Sequence, residues 1–167
     1  MARNPDEWQM TNSRRPAMQS AGPLDQHDYR TLSEFRFLIR RFLAFSADAA
    51  RGVGLTSRQH QALLAIKGFA GEGAPTIGDL ARLLCIQHHS AVELADRLVE
   101  SGLVLRTHDS CDRRRVLLGL TEAAEGHLAG LSASHLEELH RLRPTLLQIL
   151  DRIAAPAPEN EGQPEEQ

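Results

Sequence analysis

The chain has 167 residues, a formal net charge of −3 and two cysteines. That length allows one packed core or two small lobes. Two cysteines do not make a disulfide framework, and no apolar run reaches the roughly 18 residues of a membrane span. The N-terminus lacks the apolar segment and small-residue cleavage site of a secretory signal, so the expected location is cytoplasmic.

Residues 1–24 contain Asn4-Pro5, Arg14-Arg15-Pro16 and Gly22-Pro23 without apolar periodicity, and are expected to form a disordered tail. Residues 156–167 hold three prolines and four glutamates with no basic residue, the composition of an acidic tail. Those glutamates exceed the whole net charge, so the body of the chain is close to neutral. A neutral body still binds DNA where its arginines share one surface, because phosphate contacts are local.

Within segment 25–54, Leu32, Phe35, Ile39, Phe42 and Ser46 recur at helical spacing, with Leu38 and Phe45 widening the stripe. They predict a helix over 28–51 that ends at Gly52 and Gly54. Four of the five phenylalanines fall here, more apolar surface than a lone surface helix carries. Thr56-Ser57-Arg58-Gln59 opens a second helix with a capping box, continued by Ala62, Leu63, Ile66 and Phe69 and stopped by Gly71 and Gly73. Thr76-Ile77-Gly78-Asp79 opens a third, carrying Leu80, Ala81, Leu83 and Leu84. In the following turn, Cys85-Ile86-Gln87, Cys85 is expected to pack as a small apolar residue. Ala91, Leu94, Ala95 and Leu98 then make the inner face of a fourth helix ending at Ser101-Gly102. Its outer face is His89, Ser90, Glu93, Asp96 or Arg97, and Glu100.

An apolar strand follows, then an arginine-studded tip (Asp109 to Arg115) and a returning strand, Val116 to Leu120. From Thr121 the pattern is helical again, with Leu128, Leu131, His135, Leu139, Leu142, Leu146, Ile149 and Ile153 forming a heptad-like seam. Pro144 inside it is expected to kink or split the helix near Arg143, leaving pieces of about five and about three turns. The seam is too long to be buried against one small domain. With the phenylalanine-rich first helix it argues for a homodimer built from both chain ends; a monomer whose terminal helices satisfy each other is the alternative. The fold class is thus mainly α with a small β-hairpin wing. A winged helix-turn-helix over 55–121 would stand beside a helical dimerisation lobe from 25–54 and 122–155.

In a winged helix-turn-helix one helix enters the DNA major groove and the ribbon reaches neighbouring phosphates or the minor groove. Gln87, His88, His89 and Ser90, the first turn of the fourth helix, would face base edges. Gln pairs with adenine, His donates to guanine, and Ser binds phosphate or base. Glu93, one turn on, accepts from cytosine or repels phosphate. The bland reading makes His88 and His89 solvated helix-start residues. Asp109 and Asp112 cannot neutralise all of Arg113, Arg114 and Arg115, so the wing retains positive charge for a duplex. Asp112 orients an arginine rather than a metal.

The pairs Cys85-x-x-His88 and His108-x-x-Cys111 have zinc-like spacing, but the fold holds them apart, and no metal or cofactor is expected. Cys111, flanked by arginines at a hairpin tip, is a candidate redox thiol, against the default of a thiol without function. No catalytic motif is present: Gly71-x-Gly73 is too short for a phosphate cradle. The alternative from another class is an α-helical interaction adaptor that never touches DNA.

Residues 29–153 resemble the MarR family of transcriptional regulators. The likeness is carried by Thr76-Ile77-Gly78-Asp79-Leu80-Ala81, by Ala95-Asp96-Arg97-Leu98-Val99-Glu100-Ser101-Gly102-Leu103-Val104, and by Arg106-x-x-Asp109-x-x-Asp112-Arg113-Arg114 leading to Leu120-Thr121. The resemblance implies a homodimer with intertwined terminal helices and a palindromic operator on double-stranded DNA. It also implies a repressor relieved by a small phenolic or aromatic acid, with Arg106 joining the wing arginines as a DNA contact. Ligand sites in such proteins lie between the dimer lobe and the winged lobe, where Arg36, Arg40 and His60 are the candidate polar groups; ordinary surface charges are the alternative. Three departures concern the operator rather than the fold. Cys85 stands where many members have glycine, Gln87-His88-His89 replaces a Ser-Pro-Ser type of start, and Glu93 replaces a basic or neutral residue. The hydroperoxide sensors' cysteine near the first helix is absent here.

Overall fold

The computed structural model describes residues 24–109, 112 and 115–154. Both expected tails, apart from Leu24, lie outside the described residues, as do Cys111, Arg113 and Arg114. Among the described residues the elements run α1 (Gln26–Gly52), α2 (Ser57–Lys67), α3 (Ile77–Leu83), α4 (His88–Glu100), β1 (Val104–His108), β2 (Val116–Leu120) and α5 (Glu122–Ala154).

The helix starts follow from their caps. Asp25 with Asp28, Thr56 with Gln59 and Thr76 with Asp79 each form a reciprocal capping box, and each such cap stabilises its helix by about 1 kcal/mol. At Asp79, burial pushes the carboxyl up, but the Thr76 N–H and hydroxyl and the Arg82 guanidinium outweigh it and hold the group below its usual range. Thr121 starts α5 differently. Its hydroxyl donates to the Gly102 carbonyl at 2.9 Å and accepts from the Ala124 N–H at 3.2 Å, tying the end of the hairpin to the long helix.

The hairpin pairs antiparallel, with Val104 opposite Leu120, Arg106 opposite Leu118 and His108 opposite Val116. β2 is held on its other edge too: the Leu118 N–H donates to the Pro75 carbonyl at 2.8 Å, and Thr76 bridges to Leu117. Leu118 itself is fully buried, among Leu63, Leu80, Leu98 and Val104, in the core of the winged lobe. That core also takes Ala124, Leu128 and Leu131 from the first turns of α5. A second, smaller core joins α1 to the far half of α5 through Leu38, Leu142 and Ile149, with Phe35, Phe42 and Leu146 packed around it.

Three expectations for the terminal helices need correction. Pro144 does not divide the last helix, which runs unbroken from Glu122 to Ala154. The proline is exposed, so the His140 carbonyl it leaves without a donor lies at an exposed position where water can reach it, while Leu142 and Ile149 keep the inner face packed. The seam also takes Glu138 (6% exposed) in place of Leu139 (45%), and Ile153 is exposed. Leu128, His135, Leu142 and Ile149 are spaced by sevens, and that register puts position 138, not 139, on the inner face. Glu138 is tolerated there because Arg141 grips both carboxylate oxygens, at 2.7 and 2.6 Å. On α1, finally, Leu32 and Ile39 are exposed, and the inward residues are Thr31, Leu38, Ser46 and Ala50. The helix is apolar on two sides, which a single periodicity cannot separate.

The turn after α3 also departs from expectation, because Cys85 is exposed rather than packed. Three helices close in the same way, with the N–H two residues past the cap reaching back five residues. These are Leu55 to Ala50 (3.0 Å), Ile86 to Ala81 (3.0 Å) and Leu103 to Leu98 (2.9 Å). This closure requires a left-handed residue just before the donor. Gly54 (φ 79°) and Gly102 (φ 68°) supply it twice; Cys85 (φ 52°) supplies it at the third site. The backbone turn aims its side chain outward. Relieving the left-handed strain outweighs the entropy that glycine adds to the unfolded chain. Cys85→Gly is therefore expected to stabilise the protein by roughly 0.5–1 kcal/mol, a rise of a few degrees in Tm in a calorimetric scan.

A candidate nucleic-acid interface and the buried junction behind it

Helix α4 buries Ala91, Leu94, Ala95 and Leu98 against the winged core, as its spacing predicts. The opposite side, and with it the start of the helix, is therefore turned outward. Gln87 caps the backbone without any side-chain hydrogen bond, and Gln87, His88, His89 and Glu93 are exposed while Ser90 is half-buried. Four polar side chains thus gather at a helix start with their donors and acceptors uncommitted to a cap. Chemically this surface can read base edges or phosphate oxygens.

The wing stands next to α4, and its arginines are differently placed. Arg115 pairs with Asp109 at 3.5 Å, and the Asp109 N–H donates to the Arg115 carbonyl at 3.1 Å, closing the base of the tip. The Asp112 N–H donates to Asp109 Oδ1 at 3.3 Å, so Asp112 helps shape the same turn. Arg113 and Arg114 lie outside the described residues. Arg106 does not sit with the tip. Its guanidinium is engaged by the Asp96 carboxylate and by the Val92 carbonyl at 3.4 Å, both on α4. Asp96, assigned from its spacing to the outer face of the helix, is thus a partner of the wing. The clue was available in principle: Val92 and Asp96 are one turn apart, and alternation along β1 puts Arg106 on the same side as buried Val104.

Behind this surface, α1, α2 and α5 meet at a buried polar junction. His60 of α2 is only 2% exposed, and its ring lies 4.7 Å, centroid to centroid, from that of His135 on α5. His135 Nδ1 faces the Leu131 carbonyl, which can only accept; the proton therefore sits on Nδ1, and Nε2 accepts from the Ser46 hydroxyl at 2.8 Å. Phe42 and Phe45 present their rings edge-on to His135 at 5.8 and 5.5 Å. His60 Nδ1 is buried without a hydrogen-bond partner. Of the three groups expected at a ligand crevice, only His60 reaches this junction. Arg36 and Arg40 are exposed on α1, and Arg36 lies about 15 Å along the helix from Ser46 by the rise of an α-helix. The difference follows from the faces they occupy: His60 lies on the inner face of α2 beside Ala62, Leu63 and Ile66, whereas the two arginines are exposed on α1. Ser46 and His135, which complete the junction, read in the sequence as polar interruptions of two apolar stripes.

Residues 53–115, from the end of α1 through the wing tip, match the family model of the MarR family. Over that segment the chain is similar to a MarR-type winged helix. Solved structures agree over a larger span. AbsC, a MarR family transcriptional regulator from Streptomyces coelicolor, is similar with a TM-score of 0.64 at 19% identity, over 80% of this chain and 93% of that one. A mutant of MepR from Staphylococcus aureus, bound to an oligodeoxyribonucleotide, gives a TM-score of 0.57 at 20% identity, over 75% and 97%. BpsR of Bordetella bronchiseptica, described with regulation of its DNA binding by 6-hydroxynicotinic acid, gives 0.55 at 20%, over 81% and 99%. Among curated proteins none matches the chain. At these identities the likeness is one of fold, and it extends beyond the MarR-type domain to the helices that flank it.

The junction makes the protein sensitive to acid. Burial, and secondarily the neighbouring His135, hold the His60 imidazole below its ordinary value of 6.5. The unfolded chain therefore takes up a proton that the folded chain refuses, and stability present above pH 6.5 is lost as the pH falls below it. Unfolding midpoints in denaturant are expected to drop between pH 7.5 and pH 5.5, a window above the titration of ordinary carboxylates. His60→Leu should flatten that slope. An unchanged slope in the variant would show that His60 is not the group responsible.

Proposed function

We propose that the chain is a sequence-specific, DNA-binding transcriptional regulator that acts as a homodimer on a palindromic operator, and does so as a repressor. The observation that carries the reading is the juxtaposition of an uncommitted polar helix start, Gln87 to Ser90, with an arginine-bearing hairpin held against the same helix. In this arrangement α4 enters the major groove, with Gln87, His88, His89 and Ser90 at base edges and Glu93 rejecting unsuitable sequences. Arg113 and Arg114 of the wing supply the phosphate or minor-groove contacts. A likeness in fold to a MepR mutant bound to an oligodeoxyribonucleotide supports this reading.

The dimer is supported by the apolar surface that one chain leaves exposed. Tyr29, Leu32, Ile39 and Leu43 share one exposed face of α1, and Leu136, Leu139, Leu147, Leu150 and Ile153 are exposed along α5. Apolar surface of that length on two adjacent helices exceeds what a monomer ordinarily shows to water. A second copy covers it and sets two α4 helices about one helical turn of DNA, roughly 34 Å, apart. Arg36 lies within that α1 face, where it would meet the partner.

A small aromatic acid is the effector class we assign. BpsR, with the same fold, is described with 6-hydroxynicotinic acid. The buried, unpartnered His60 Nδ1 beside Phe42, Phe45 and His135 offers such a molecule a hydrogen bond and ring faces. Occupation of the junction would alter the distance between the two α4 helices and release the operator.

In a fluorescence anisotropy titration, the promoter beside the protein's own gene is expected to bind more tightly than random duplex; indifference between the two would refute sequence-specific regulation. Arg113→Ala with Arg114→Ala should weaken binding without lowering Tm, and should reduce the salt slope by about one unit for each phosphate that is no longer neutralised. Sedimentation should show a dimer at micromolar concentration, converted to monomer by Leu43→Arg with Leu150→Arg. A monomeric wild-type protein would end the dimer reading.

A further inference from the structure

The ion pair between Asp96 and Arg106 joins the two elements that must touch one duplex together. Leu105 is exposed, so alternation turns Arg106 back toward α4. There its guanidinium meets the Asp96 carboxylate and the Val92 carbonyl, one turn apart on the helix. Directly across the hairpin from Arg106 is Leu118, buried in the winged core and hydrogen-bonded through its N–H to Pro75. The guanidinium thus reaches α4 from a pair of the hairpin that is anchored in the core, not from its tip. His89 lies seven residues before Asp96, on the same flank of α4 and about 10 Å away along its axis.

The pair also bears on charge. Outside its histidines, α4 carries Glu93, Asp96 and Glu100 against Arg97 alone. An acidic helix would be repelled from phosphate. Asp96 is the α4 carboxylate that pairs with the wing, and Arg106 neutralises it while leaving both groups partly hydrated, with side chains 47% and 30% exposed.

We propose that Asp96 and Arg106 are positioning residues for DNA binding: their ion pair fixes the wing against α4 and neutralises a carboxylate on the DNA side of the helix, and Arg106 is not itself a phosphate contact. The inference rests on the regulator reading above, but part of its test does not. Its sign is unusual. Neutralising an acidic residue near phosphate ordinarily strengthens binding, whereas here Asp96→Asn is expected to weaken binding of the promoter duplex by roughly tenfold, since it frees the wing. Arg106→Gln should weaken it at least as much, and the double variant no more than Arg106→Gln alone, because both changes break one interaction. Asp96→Glu, which keeps the charge, should restore most of the affinity.

Equal or tighter binding by Asp96→Asn, or additive losses in the double variant, would overturn the proposal and make Arg106 a phosphate ligand after all. Hydrogen exchange of the free protein supplies the arm that needs no DNA. Asp96→Asn should speed exchange of β1 and β2 amides while those of α1 and the far half of α5 keep their protection. Unaltered exchange in the hairpin would refute the clamp even if the wild-type protein bound no duplex at all. Failure of wild-type binding alone would refute the regulator reading instead.

Discussion

One helix belongs to both cores of this protein. The first turns of α5 put Ala124, Leu128 and Leu131 into the winged lobe, and its far half puts Leu142 and Ile149 against α1. By the rise of an α-helix its 33 residues extend about 50 Å. A rigid rod clamped at one end and packed along the other transmits displacement, whereas a hinge would absorb it. The helix stays continuous through Pro144. The packing of Leu142 and Ile149 on either side of that proline offsets the missing hydrogen bond. Arg152 of α5 and Glu34 of α1 tie the outer end, and that contact holds the Glu34 carboxyl below its usual range.

The polar junction sits where the rod leaves the winged lobe. His135, in the middle of α5, is held by Leu131 and Ser46 and met by the tilted ring of His60, so α1, α2 and α5 share one small group of hydrogen bonds and rings. A buried polar group with an unmet hydrogen-bonding atom costs free energy unless something uses it. Here the unmet atom is His60 Nδ1, at the meeting point of α1, α2 and α5. Acid would act at this point, by charging the buried His60 imidazole.

Electrostatics on the outer surface are local rather than global. A body close to neutral, with an acidic helix at the proposed interface, gives DNA no general attraction. Each arginine's role depends on what lies within a few ångströms of it. Arg106 is engaged by Asp96 and Arg115 by Asp109, so the arginines of the wing do not act as one pool of charge, and residues of the same type within ten positions serve different ends.

The winged helix was legible because its signals are short-range. Capping boxes at Thr56 and Thr76, the inner face of α4 and the strand at Val116 to Leu120 each depend on residues within a turn or two. The family likeness likewise rests on segments inside that domain. What tertiary structure alone decided is long-range. Apolar residues on both sides of α1 satisfied two helical periods equally, and only packing against α5 separates the inner Leu38 from the outer Ile39. Glu138 rather than Leu139 faces inward because register over seven residues overrides the polarity of one. The junction of His60, His135 and Ser46 draws on positions up to 89 residues apart, and Arg106 meets Asp96 across a turn that reverses the chain. Composition and spacing record which residues a segment prefers to bury; which partner waits on the other side is a property of three-dimensional closeness, and no local pattern encodes it.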